Sequence, residues 1–429
     1  MLPSGGTRFL QNTDNQRFMR QLKLLLATLI LAGCSAQSNV DNFTELVDMK
    51  IGTGGHGHVF VGANVPFGLV QLGPTSIPQE WDWCSGYHHS DSTVIGFSHT
   101  HLSGTGIGDL FDITVMPVTG EDLTFARGTE DDQASGLWSY ADRTKEVAKP
   151  GYYSVPLTRY GITAELTATN RVGLHRYTFP QSEDAGIVID LLNGGCWDRP
   201  VETYIEACGD NAVKGYRYSS GWANAQRIYF YAEFSKPFSD LHVHSINYMP
   251  LYAKADFDTQ NGEQILMKVA LSPVSMEGAY ANMQAELQGW DFEATAKAAD
   301  KAWNEELSKI SVKSADKTDL KVFYTALYHA MIAPATFCDV DGSYRGADGE
   351  IYGDPGYSTY TTFSLWDTYR AAMPLYSIFQ TERYTDFINT MLAIYKEQGK
   401  LPVWQASCMA SPRMRDRLYG RQPWHPACG

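Results

Sequence analysis

Near residue 275 the hydrophobic period of this chain changes from two to about 3.6, and that switch rules out any fold made of one sheet or one bundle alone. From about Val40 to Val274, short runs of β-branched and aromatic residues recur between Gly, Asn, Pro and Ser. Examples are GIVIDLLNG (Gly186 to Gly194), QRIYFYAEFS (Gln226 to Ser235) and ILMKVALS (Ile265 to Ser272). In the second, Ile228, Phe230, Ala232 and Phe234 alternate with Tyr229, Tyr231 and Glu233, as a strand with one buried face requires. Such runs over so long a stretch predict a large β-sandwich over residues 40–276.

Beyond Glu277 the pattern is helical. YANMQAELQGWDFEATAKAADKAWNEELSKI is rich in Ala, Glu, Lys and Leu, lacks proline, and predicts one or two linker helices within 277–317. TDLKVFYTALYHAMIAP sets Leu320, Phe323, Tyr324, Leu327, Tyr328 and Met331 on one helical face, with Thr318 or Asp319 as N-cap and Pro334 as the stop. SLWDTYRAAMPLYSIF and YTDFINTMLAIYKEQGKLP supply two more helical segments within 318–404. The expected fold class is therefore multidomain β plus α. A chain of 429 residues is long enough for more than one such unit.

A net charge of −14 repels phosphate backbones and argues against nucleic acid as a partner. Ten Trp, 25 Tyr and 19 Phe leave aromatic faces beyond those a core absorbs, and such faces stack on flat or ring-shaped ligands, sugars among them. At the N-terminus, Met19, Arg20 and Lys23 precede an apolar run from Leu24 to Leu31, and LAGC ends at Cys34. The run is too short to span a bilayer and reads as a signal peptide over residues 1–34, with Met19 the expected true start. LAGC resembles a bacterial lipoprotein signal, which makes Cys34 the lipidated residue. The chain is then exported, periplasmic or at the cell surface, and held to the outer membrane by lipid. The other six cysteines are irregularly spaced, form no C-x-x-C, and imply no disulfide framework.

Two H-x-H pairs stand in glycine-rich stretches, His56 and His58 in GTGGHGHVF and His99 and His101 in SHTHLSGTG. On a strand, either pair offers two nitrogens to one metal, with Asp109 or Asp112 as the acid. The glycines speak equally for tight turns, so sugar contact and structural hydrogen bonding stand beside ligation. In EWDWCSGYHHSDS, Trp81 and Trp83 share a side if the stretch is extended and form a platform for a pyranose, or else one is core and the other an interface residue. In TFSLWDTYRA, Trp366 sets an aromatic wall beside Asp367, a carboxylate able to accept sugar hydroxyls, and Arg370 at i+3 can hold it ionised. The alternative is a surface ion pair. DVDGSYRGADGEIYGDPGYSTYTTF carries Asp339, Asp341, Asp348, Glu350 and Asp354 without EF-hand spacing, and reads as a turn-rich loop or hairpin.

Together, VDMKIGTGGHGHVFVGANVPFGLVQLGP, WDWCSGYHHSDSTVIGFSHTHLSGTG, YRGADGEIY, YSTYTTFSLWDTYRAAMPL and GKLPVW resemble glycoside hydrolase family 92, the calcium-dependent exo-acting α-mannosidases, from about Val40 to Trp404. The resemblance implies an N-terminal β-sandwich, a helical linker and, over 318–404, the first part of an (α/α)6 barrel, with the site where sandwich and barrel meet. It implies inverting hydrolysis of terminal α-linked mannose from mannose-containing glycans, calcium on two mannose hydroxyls, Trp366 and Asp367 on the terminal mannose, and Trp83 beside the leaving group. The H-x-H pairs are then expected to shape loops near the sugar and to hold no metal. A His-rich metallohydrolase remains a separate reading.

After Trp404 the chain departs from the family, and the segment from Gln405 to Gly429, which begins QASCMASPRMRDRLYG, contains no glutamate. We read residues 405–429 as an aberrant tail produced by a frame shift, with a genuine short form as the alternative. On that reading no catalytic residue lies in this chain, which lacks the acid, base and calcium site and binds no calcium. The alternative function is a catalytically inactive carbohydrate-binding fragment.

Overall fold

The computed structural model describes residues 42–402, apart from 122, 195 and 196, together with 404 and 405. The signal segment with Cys34, and the tail from 406 onward, lie outside the described residues. Two antiparallel sheets make up the first part. The seven-stranded sheet runs in the order Ala63–Asn64, Gln71–Thr75, Gly96–Ser98, Thr114–Thr119, Ser182–Asp190, Met249–Thr259 and Leu241–Ile246. The eight-stranded sheet runs Arg199–Ala207, Ala212–Ser220, Gln226–Phe234, Glu263–Ser272, Val172–Phe179, Ile162–Ala168, Tyr152–Leu157 and Val147–Lys149. Strand Gln226–Phe234 buries Ile228, Phe230, Ala232 and Phe234 and turns Tyr229, Tyr231 and Glu233 outward, as its alternation requires.

Helices Met276–Glu286 and Phe292–Leu307 follow, capped by Ser275, which accepts from Gly278 N, and Asp291, which accepts from Ala294 N. The next helix, Lys317–His329, corrects the expected cap: Asp316 accepts from Thr318 N, so neither Thr318 nor Asp319 holds that position. Tyr324, Leu327, Tyr328 and Met331 are buried, whereas Leu320 and Phe323 are only partly covered. SLWDTYRAAMPLYSIF breaks into a single turn, Leu365–Thr368, and a helix, Ala372–Phe379, with Pro374 in the first turn where its missing N–H costs nothing. Helix Thr381–Gln398 ends at Gly399, whose φ of 75° terminates it in the left-handed conformation.

The sandwich core and the helices from Trp303 onward form one apolar cluster, running from Val115, Ile187 and Phe230 through Trp303, Tyr324 and Tyr328 to Phe387, while Met276–Glu286 packs in a second cluster against Val172 and Leu174. Asn64 anchors this join. Its carbonyl accepts from Trp303 Nε1 at 2.7 Å and its side-chain oxygen from Tyr328 OH at 3.2 Å, all three residues being buried. On the flank, Glu286 accepts from the Arg171 guanidinium at 2.7 Å, from Arg171 N at 2.8 Å and from Thr169 Oγ1 at 2.6 Å.

The turn-rich stretch after Asp339 contains a hairpin of Tyr344–Arg345 with Ile351–Tyr352. Asp339 itself turns inward, accepting from Ser272 Oγ at 2.7 Å and from Asn282 Nδ2 at 2.8 Å. Gly278 permits this approach, since a Cβ there would lie 2.2 Å from Asp339 Oδ2. Asp339 thus pins the loop to the point where the last sandwich strand becomes the first helix. Burial pushes its carboxyl up to about 6, against the pull of the two hydrogen bonds. The folded protein therefore holds a proton that the unfolded chain releases, and this contribution to stability is full in acid and lost as pH rises through about 6. In Asp339→Asn that loss is absent. Between pH 5 and 7.5, denaturation should show the variant gaining on the wild type by on the order of 1 kcal/mol; a constant difference across that range would refute the assignment.

Candidate functional site

The sequence GTGGHG folds as a turn that only glycine permits: Gly52 has φ 87°, and a Cβ on Gly57 would stand 1.8 Å from Gly52 O. His56 and His58 are therefore in a loop and not on a strand. They nonetheless converge, on an acid different from the two expected. His56 Nδ1 lies 2.6 Å and His58 Nε2 3.2 Å from Asp82 Oδ1. Burial works against the charge of Asp82, but hydrogen bonds to His56 and His58 outweigh it and hold the carboxyl below its usual range.

Asp82 sits in a single 3-10 turn, Trp81–Trp83, so the two indoles do not share a side as an extended stretch would make them. Trp81 packs against His58 at 4.3 Å and His56 at 5.3 Å between ring centroids, and donates from Nε1 to Gly106 O at 2.9 Å. Trp83 turns elsewhere, donating to Asp91 Oδ2 at 2.6 Å and stacking on His88 at 4.3 Å. No ring contact or hydrogen bond between described residues joins Trp83 to Trp366 or Asp367.

The second H-x-H pair is interior. His99 uses Nδ1 on Ile113 O at 2.5 Å and faces His175 Nε2 with its own Nε2 at 2.9 Å. His101 donates to Gln71 O at 2.8 Å. Burial pushes His99 down to about 4, His101 to about 3, and His175 well below its ordinary value. Both belong to the core as neutral imidazoles.

The two acids thought able to complete a metal site are spent on the fold. Asp109 accepts the backbone N–H groups of Trp222 and Ala223 at 3.0 and 2.7 Å. Asp112 accepts from Arg217 at 2.7 Å, Thr100 Oγ1 at 2.9 Å and Gln226 Nε2 at 2.8 Å. Asp198 shares Arg217, and burial pushes its carboxyl up to about 6.

By holding the turn at Trp222, Asp109 sets that indole against Trp404, 6.5 Å away and nearly perpendicular. Trp404 lies 6.3 Å from Trp366 and donates from Nε1 to Asp367 Oδ2 at 3.0 Å, while Ser364 Oγ donates to the same oxygen. A short ladder, Ser364 opposite Trp404, fixes this geometry. Just before it, Thr362 adopts φ 60°, a conformation that β-branched residues rarely take and that the surrounding bonds of its hydroxyl to Ala335 N and Thr361 O hold in place. The result is a wall of three indoles around a carboxylate, with Trp366 60% exposed. Arg370 does not pair with Asp367 as expected; its Nε donates to Tyr369 OH at 2.7 Å. A cavity of about 30 Å³ between Gln71, His101, Asp112 and Thr362 admits no more than a water or two.

Trp222 and Asp82 are the residues that sequence reasoning missed. Trp222 stands in the small-residue turn SSGWAN, where an indole has little to pack on locally, and that was a usable signal. Calcium takes six to eight oxygens. The one group of three metal-ligating side chains that converges among the described residues brings two nitrogens and one oxygen, and does not fit calcium.

An antiparallel sandwich joined through one core to helices, with an open indole wall beside a carboxylate near the join, is the build of a carbohydrate-active protein. Residues 46–272 match the family model for the glycosyl hydrolase family 92 N-terminal domain, and residues 278–415 that for the family 92 catalytic domain. The chain belongs to glycosyl hydrolase family 92. Its structure is similar to that of a family 92 α-mannosidase from Bacteroides thetaiotaomicron in complex with mannoimidazole, at 36% identity and a TM-score of 0.82, covering 87% of this chain and 51% of that one. A family 92 inverting mannosidase from the same organism shares the fold at 24% identity and a TM-score of 0.72, covering 91% and 54%. An uncharacterized secreted glycosidase of Arthroderma benhamiae is 25% identical over 425 residues, 90% of this chain and 49% of that protein. The chain spans about half the length of these relatives.

Arg217 is fully buried between Asp112 and Asp198, and removing it leaves two carboxylates unpaired behind the indole wall. Arg217→Met should cost about 3–5 kcal/mol at pH 7.5, read by urea denaturation. A cost under about 1 kcal/mol would show that the pair of acids is held by something else.

Proposed function

We propose that this chain is the sugar-holding part of an exo-acting, inverting α-mannosidase of mannose-containing glycans, with Trp366 and Asp367 meeting the terminal mannose. The observation that carries this reading is the exposed Trp366 face beside Asp367, whose carboxylate is oriented by Trp404 and Ser364. The apolar face of a pyranose stacks on an indole, and a carboxylate with free lone pairs accepts adjacent hydroxyls. Trp366 and Asp367 are consecutive, so one sugar ring can engage both. The family membership and the mannoimidazole bound to the Bacteroides relative support mannose as that sugar.

Inverting hydrolysis needs an acid and a base roughly 6.5–9.5 Å apart across the scissile bond. Asp109, Asp112 and Asp198, the acids behind the wall, are engaged by backbone amides and Arg217 and serve neither role. We therefore assign this chain the sugar-holding part of the reaction, without turnover of its own, and treat a carbohydrate-binding fragment as the second reading. For the place of action we propose export, with Cys34 as a lipid anchor on the outer membrane. The leader residues Arg20 to Cys34 support it, and no helix among the described residues is long and apolar enough to cross a membrane.

Calorimetric titration of the 429-residue chain with mannoimidazole tests this assignment. Binding is expected in the wild type, weakened at least tenfold in Trp366→Ala and in Asp367→Ala, with no release of nitrophenol from an aryl α-mannoside. Equal affinity in all three proteins would remove the indole wall from consideration, and measurable hydrolysis would defeat the assignment of a binding role only.

A further inference from the structure

Two loops 24 residues apart in sequence meet at a single carboxylate oxygen. His56 Nδ1, His58 Nε2 and Asp82 Oδ1 all lie within 4.8 Å of one another, the one such convergence of three His, Cys, Asp or Glu side chains among the described residues. We propose that these three residues bind one zinc ion, which ties the glycine loop 52–58 to the turn Trp81–Trp83. This goes against the expectation from sequence that neither H-x-H pair holds a metal.

The donor set decides the class of ion. Two imidazole nitrogens and one carboxylate oxygen suit zinc, whereas calcium and magnesium require oxygen ligands throughout. Distances come next. Ligands at about 2.0–2.2 Å from a tetrahedral zinc stand roughly 3.3 Å apart. The His58 to Asp82 gap, 3.2 Å, already has that value. The His56 to Asp82 gap of 2.6 Å must open by roughly 0.7 Å to reach it. His56 has the freedom to do so, since its side chain is 75% exposed and it sits between Gly55, which has open space around it, and Gly57. Each imidazole then carries its remaining proton on the other ring nitrogen, so no proton need be expelled.

The surroundings favour an ordered site. Trp81, fixed by its bond to Gly106 O, walls one side of both imidazoles. Three protein ligands leave at least one position to water. The other pair makes the contrast: both ring nitrogens of His99 and Nδ1 of His101 are already committed inside the core.

The full chain, stripped with chelator, should take up one equivalent of zinc in competition with a zinc-binding dye, and excess calcium should not displace it. Cobalt in place of zinc should show visible d–d absorption and quench Trp81 fluorescence. His56→Gln and Asp82→Asn should each weaken zinc binding at least tenfold, with far-ultraviolet circular dichroism unchanged, while His89→Gln, at an exposed neighbour, leaves it intact. Absence of stoichiometric zinc uptake overturns the proposal, and so does uptake that His56→Gln and Asp82→Asn leave unaltered.

Discussion

Everything beyond the sandwich depends on a buried amide, Asn64, at the end of one short strand. Its two oxygens accept from Trp303 and Tyr328, which lie on different helices, so both acceptors of this residue are satisfied where the apolar core passes from sheets to helices, while its buried Nδ2 has no hydrogen-bond partner. An interface so joined behaves as interior and not as two surfaces in contact, because separating it would expose both the aromatic rings and the orphaned carbonyl. Asp339 closes the same crossing from the other side. Together these bonds set where the turn carrying Trp366 emerges relative to the sandwich loop carrying Trp222.

The division of labour among carboxylates follows from the same packing. The acids behind the indole wall are engaged by Arg217 and by backbone amides. Asp367, by contrast, is exposed and is oriented by two donors on a single oxygen, so its other oxygen remains available to a ligand. Thr362, five residues earlier, takes the left-handed conformation that bends the backbone into this turn.

Much of the architecture was legible in the sequence, because alternation in strands such as Gln226–Phe234 and the helical period after Met276 are local properties. The hairpin after Asp339 was local as well. The errors were at places where long-range contact overrides local pattern. Arg370 is one helical turn from Asp367, yet a tryptophan 37 residues away takes the carboxylate instead. In the Trp81–Trp83 stretch no partner strand holds the chain extended, so it winds into a 3-10 turn, the indoles part, and the aspartate between them becomes the feature of interest. The helix cap fell on Asp316 because SADKTD offers four competing residues and only the geometry of the incoming chain selects among them.

The neutral imidazoles of the core have a further consequence. His99, His101, His175 and His329 all resist protonation through burial, so between about pH 4 and 6.5 they bind fewer protons folded than unfolded and reward alkalinity. Asp190, Asp198 and Asp339, buried and held near pH 6, do the reverse over nearly the same interval. The two slopes oppose one another, so buried imidazoles and buried carboxyls pull the fold's endurance in contrary directions across mildly acidic surroundings.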